Sequence, residues 1–128
     1  MKIIYILAGG ALGSAGRYFM INFSQRYFGE GFPTGTLLVN LLGSLVIGIL
    51  FGFFDTDKIP PNIRMFMFIG FLGGFTTFST YALDTMNLFK DGNHKLALFN
   101  ILSNNVLGLV MVIGGFFLAR YLVTVIKP

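Results

Sequence analysis

Three observations predict an all-α, polytopic membrane protein with four transmembrane helices. Of the 128 residues, 55% are hydrophobic and only 11% are charged, whereas roughly a quarter of a soluble domain is charged. Four apolar stretches are each long enough to cross a bilayer core, which takes about 20 helical residues. The connections between them are short, so residues 1–128 read as a single four-helix transmembrane domain with no soluble domain left over.

The first span runs from Ile3 to Phe23. Lys2 precedes it and small residues follow at Ala11 to Gly16, as in a signal peptide, but the apolar stretch resumes after Arg17 and three more spans follow. Gly9, Gly13 and Arg17 share one helical face. Arg17, near the end of the span, either faces a wet vestibule or snorkels to the interface.

The second span, Gly35 to Phe54, places Thr36, Asn40, Ser44, Gly48 and Gly52 at every fourth residue, a slowly drifting stripe of polar and small groups. Gly48 and Gly52 predict a close helix crossing. Thr36, Asn40 and Ser44 fit interhelical bonding and the lining of a pathway equally well. The fourth span, Leu96 to Ile126, repeats the spacing with Asn100, Asn104 and Gly108, with Asn105 beside them. Side-chain amides at membrane depth need partners.

The third span, Ile63 to Phe89, contains GFLGGFTTFSTY at Gly70 to Tyr81. Gly73 and Gly74 each weaken a helix by roughly 1 kcal/mol relative to Ala, and the threonines that follow add to the weakness. The span is therefore expected to break near its middle. A break leaves carbonyls that attract a cation and amides that attract an anion. A second reading has the glycines admit a close crossing while the hydroxyls bond back to the preceding turn. Phe78 and Tyr81, three residues apart, present ring edges that are positive.

The connections Ser24 to Thr34, Asp55 to Asn62 and Lys90 to Lys95 carry the Pro, Gly, Asn and Asp that end helices. Lys2, Lys58, Arg64, Arg120 and Lys127 fall on one side, Arg17, Arg26, Lys90 and Lys95 on the other. Orientation needs a clear excess of Lys and Arg on one side. The near balance fits insertion both ways and an antiparallel pair of copies, the other reading being a single orientation set by a weak bias. The net charge of +4 is spread over connections and termini, which suits anionic lipid headgroups and offers no cluster for nucleic acid.

No cysteine is present, the single histidine is His94 in a connection, and Asp84 is the only carboxylate well inside a span. No catalytic constellation is found, so the chain is not expected to be an enzyme. A small polar-lined membrane oligomer that passes an anion fits best. The competing class is a small dual-topology, proton-coupled multidrug exporter, which would need Asp84 as its coupling acid.

GGALGSAGRY at Gly9 to Tyr18, GTLLVNLLGS at Gly35 to Ser44 and GFLGGFTTFSTY resemble the CrcB or Fluc family of fluoride channels across all four spans. The resemblance implies passive export of toxic cytoplasmic fluoride through an antiparallel, dual-topology homodimer in a bacterial plasma membrane. It also implies a structural sodium ion at the dimer centre, on carbonyls that fall at Gly73 and Thr76. By motif position Asn40 is a pore amide, Phe78 an aromatic whose edge meets fluoride, and Ser79 and Thr80 hydroxyls beside the pathway. Asn100 and Asn104 match polar positions of the fourth helix, and Arg17 the vestibule arginine. Tyr81 stands where the family usually has Phe, and Asp84 where it usually has Glu. Some members pair with a paralogue rather than with themselves.

Overall fold

The computed structural model describes residues 2–54 and 59–126, and all of its regular structure is helical. Four helices are long and apolar enough to cross a membrane: Ile3–Phe28, Thr34–Phe53, Pro61–Lys90 and His94–Ile126. We label the first two α1 and α2. The third comprises α3 (residues 61–75) and α4 (Phe78–Lys90), which meet at Thr76 and Thr77, and the fourth is α5 (His94–Ile126). Part of the expected Asp55–Asn62 connection, with Lys58, and Lys127 lie outside the described residues.

The expected boundaries hold to within two residues except at the end of α1, which continues through Phe28 rather than stopping at Phe23. Nothing in SQRYF ends a helix. Gly29 does, with φ 76°, where its N–H still reaches the Gln25 carbonyl at 3.0 Å. The extra turn buries Ser24, whose hydroxyl meets that of Thr34 at 2.7 Å and ties α1 to the start of α2.

Glycines set the packing in two pairs. Against α3, α1 lies so close that a Cβ at Gly9 would strike the Phe66 carbonyl and one at Gly13 the Phe71 carbonyl. From the other side, a Cβ at Gly74 would come within 2.7 Å of the Gly10 carbonyl. In the second pair, α2 lies on α5 with Gly48 against the Val112 carbonyl and Gly115 within 2.5 Å, by the same measure, of the Leu45 carbonyl. Only small residues allow backbones this near, which is how membrane helices gain packing energy without a hydrophobic drive between them.

The core is thin, with Val39, Ala97 and Ala119 fully buried. Large apolar side chains point outward instead, Phe19 at 69% and Leu109 at 67% exposed. Such a surface is stable in lipid and not in water.

Candidate functional site

At Thr76 and Thr77 the backbone leaves the helical conformation between α3 and α4. Bonding in α3 ends where the Thr76 N–H reaches the Leu72 carbonyl at 3.0 Å. Thr76 (φ −80°, ψ 158°) and Thr77 (φ −152°, ψ 122°) are then extended. α4 starts at Phe78 with Thr77 as its N-cap, the Thr77 hydroxyl accepting from the Thr80 N–H at 3.2 Å.

In an unbroken helix the Thr77 N–H would bond the Gly73 carbonyl. Here it donates to Asn40 Oδ1 at 2.9 Å, while Asn40 Nδ2 donates to the Thr77 carbonyl at 3.1 Å. The side-chain amide of α2 thus substitutes for a missing helical turn, and the Gly73 carbonyl loses its helical partner. Arg17 reaches from α1 to the Thr76 carbonyl at 3.4 Å. Its guanidinium thereby holds the first of the two carbonyls between α3 and α4, and Asn40 holds the second.

A chain of amides runs on from Asn40. Its Nδ2 also donates to Asn104 Oδ1 at 2.9 Å. Asn104 Nδ2 donates to both the backbone carbonyl and Oδ1 of Asn100 at 3.0 Å, and Asn100 Nδ2 donates to the Thr85 hydroxyl at 2.9 Å. Among the described residues no buried side-chain nitrogen or oxygen lacks a partner, as the cost of an unpaired polar group at membrane depth requires. An amide nitrogen carries two protons. Those of Asn40 and Asn104 are therefore all engaged within the protein.

Two cavities flank the interruption. One, of about 440 Å³, is lined by Asn40, Ser44, Gly73, Thr77, Tyr81 and Asn105 among others. The second, of about 380 Å³, is lined by Thr36, Thr80, Asp84, Glu30 and Asp91 among others. Thr77 lies on the first and Thr80 on the second, and the Thr77 hydroxyl donates to that of Thr80 at 3.1 Å. Asp84 accepts from the Thr36 hydroxyl at 2.7 Å. Among the described residues no three His, Cys, Asp or Glu side chains form a metal-holding group.

The residues singled out in the sequence are not all in one place. Asn40, Gly73, Thr76, Phe78, Tyr81 and Asn104 line the first cavity, and Thr80 the second. Asn100 is fully buried, lines neither cavity and holds Thr85. Ser79 is exposed, and the one contact of its hydroxyl among the described residues is to that of Thr77 at 3.4 Å. The Phe78 ring is 76% exposed and meets Tyr81 edge to face, centroids 5.3 Å apart and planes at 63°. Sequence reasoning passed over Thr85, although Thr77, Tyr81 and Thr85 recur every four residues just as the α2 stripe does.

The family model for CrcB-like protein, Camphor Resistance (CrcB), matches residues 4–116. A protein from Parabacteroides distasonis described as "Fluoride-specific ion channel FluC" is 42% identical over 99% of this chain and 99% of its own length. Proteins of the same description from Maridesulfovibrio salexigens and Citrifermentans bemidjiense are 41% and 43% identical, over 96% and 94% of this chain and 98% of each relative. With four helices able to span a membrane and matches that run nearly end to end, the chain is a multi-pass membrane protein that belongs to the CrcB family.

Proposed function

We propose that this protein is a fluoride-selective channel that lets cytoplasmic fluoride leave a bacterial cell passively across the plasma membrane. The observation that carries the reading is a near full-length likeness to relatives described as fluoride-specific channels. The geometry supports it. Two cavities flank an interrupted helix, and the hydroxyls of Thr77 and Thr80, one on each cavity, bond to each other. Ring edges, hydroxyl protons and helix amides all favour an anion.

The working unit is an antiparallel dimer of two copies, or of one copy with a paralogue. Support comes from the near balance of basic residues across the membrane and from Phe78, whose ring one copy leaves largely uncovered. A sodium ion fits at the dimer centre on the carbonyls of Gly73 and Thr76, the first released by the Thr77–Asn40 bond and the second held, among the described residues, by Arg17 alone. Neutral carbonyl oxygens suit such a cation; when bound it supplies a fixed positive charge between the two pathways. Asn40, whose amide protons are both engaged, serves the pathway by holding the interrupted segment in place.

Fluoride and chloride efflux from liposomes holding the purified protein tests the proposal. Fluoride is expected to leave and chloride to stay; equal rates, or no fluoride efflux, reject it. A proton-coupled exporter is not favoured, because the family match and its relatives point to a channel.

A further inference from the structure

Tyr81 and Asn105 form a contact that the pathway described above does not use. Asn105 sits in a π-helical stretch of α5, Ser103–Leu107. A regular helix turns about 100° per residue, so neighbours face different directions; the wider turn lets both Asn104 and Asn105 line the first cavity. Such bulges are often found at functional sites. Asn105 Nδ2 donates to the Ile101 carbonyl at 2.8 Å and to the Tyr81 hydroxyl oxygen at 3.0 Å.

The direction of the second bond follows from the first. A backbone carbonyl only accepts, so the Asn105 atom facing Ile101 must be its nitrogen, and that fixes the amide against a flip. The same nitrogen touches Tyr81, so there the phenol oxygen accepts. The phenol proton is left pointing away from Asn105, and no described residue accepts it. Tyr81 is 8% exposed and lines the cavity. Its proton is thus an uncommitted donor beside amides whose own protons are spent.

We infer that Asn105 is a positioning residue that fixes the Tyr81 hydroxyl as a proton donor to the anion in this cavity. The Asn105 bond polarises the phenol, making its O–H a stronger donor. A donor bond to an ion is roughly twice as strong as a neutral one, and a compact, strongly accepting anion such as fluoride gains more from it than chloride. The inference rests on the fluoride-channel reading.

The test uses full-length protein in liposomes, as wild type, Tyr81→Phe, Asn105→Ala and the double variant, with fluoride and chloride efflux measured for each. Losing one charge-assisted donor predicts fluoride efflux down about tenfold in each single variant, and no lower in the double. The second measurement places a 13Cζ-tyrosine label at Tyr81 by changing the exposed Tyr5, Tyr18, Tyr27 and Tyr121 to Phe, and follows the resonance under added fluoride or chloride. A saturable shift with fluoride alone, lost in Asn105→Ala, is expected; a bond that only holds the fold would not produce it. Wild-type efflux in Tyr81→Phe, or a Cζ resonance blind to fluoride, overturns the donor role. A shift that survives Asn105→Ala overturns the role of Asn105. If Tyr81→Phe fails to fold, the titration decides alone. No fluoride-selective efflux from the wild type overturns the channel reading itself, whatever the label shows.

Discussion

Replacing Asn40 by Leu keeps most of the side-chain volume and removes all three of its hydrogen bonds: to the Thr77 carbonyl at 3.1 Å, from the Thr77 N–H at 2.9 Å and to Asn104 at 2.9 Å. At the roughly 0.6 kcal/mol average measured per interhelical bond in membranes, the three come to about 2 kcal/mol. The Thr77 N–H, in a residue that is 7% exposed, is also left without an acceptor, which adds about 1–3 kcal/mol. Water entering the cavity recovers part of that. The expected loss is therefore about 2–4 kcal/mol, confined to the junction of α3 and α4, or about 30-fold to 10³-fold in the population of the intact segment. Amide hydrogen exchange in lipid nanodiscs reads it directly. Thr77 should lose protection by that factor while amides near the Gly48–Val112 crossing hold theirs, and fluoride efflux should fall with it. Asn40→Asp keeps an oxygen for the Thr77 N–H, so its protection at Thr77 should survive even though the donors are gone. Unchanged exchange at Thr77 in Asn40→Leu would refute the idea that this side chain replaces a helical turn.

Adjacent glycines on α5 give a paired test: Gly115→Ala should destabilise the protein by about 1–3 kcal/mol in a denaturant titration, because its Cβ would meet the Leu45 carbonyl at 2.5 Å. Gly114→Ala, with nothing within 4 Å, should stabilise it by up to about 1 kcal/mol. Asp84→Asn should still pass fluoride, at a rate changed by less than that of Tyr81→Phe; abolition of all transport by this one change would revive the exporter reading. Phe78→Ile should lose most fluoride efflux while the purified oligomer elutes unchanged, since the ring is an exposed edge and not part of the core; an oligomer that dissociates instead would make Phe78 an interface residue only.

Much of the fold was legible because membrane helices obey few rules. Length and polarity gave the spans, and the Gly48 and Gly52 spacing gave the crossing of α2 on α5, whereas Gly9 and Gly13 were legible only as sharing a face. What sequence could not separate were neighbours with different fates. Gly73 and Gly74 look alike, yet a Cβ at Gly74 would meet α1, whereas one at Gly73 meets nothing nearer than 3.9 Å. Their difference lies in a relation between helices that no local pattern records. The π-helical stretch that turns Asn105 into the cavity is similarly hidden, since it adds one residue to a turn without any breaker in SNNVL. Arg17 admitted two readings from its position in the chain, and its partner, the Thr76 carbonyl, is 59 residues away.

The hydrogen-bond directions also divide labour among the polar groups in a way residue identity does not. An Asn at membrane depth reads as a donor to a passing anion, but each nitrogen has only two protons. The backbone of the interrupted helix takes one from Asn40, and neighbouring asparagines take the remainder from Asn40 and Asn104. Asn40 acts as replacement backbone for the interrupted segment, and Asn104 and Asn100 hold Asn40 in place. Hydroxyls differ, because a hydroxyl can accept one bond and still offer its proton. Thr80 accepts from Thr77, and Tyr81 from Asn105, each leaving a proton uncommitted among the described residues, one on either cavity. An anion moving between the cavities would thus be handed from one hydroxyl to the next, with the amides fixing where those hydroxyls point. On this account a change that spares the hydroxyls but disturbs the amide chain, such as Asn104→Leu, should slow fluoride efflux by misplacing donors it does not itself supply. An unaltered rate in that variant would refute the idea that the amide chain positions the donors.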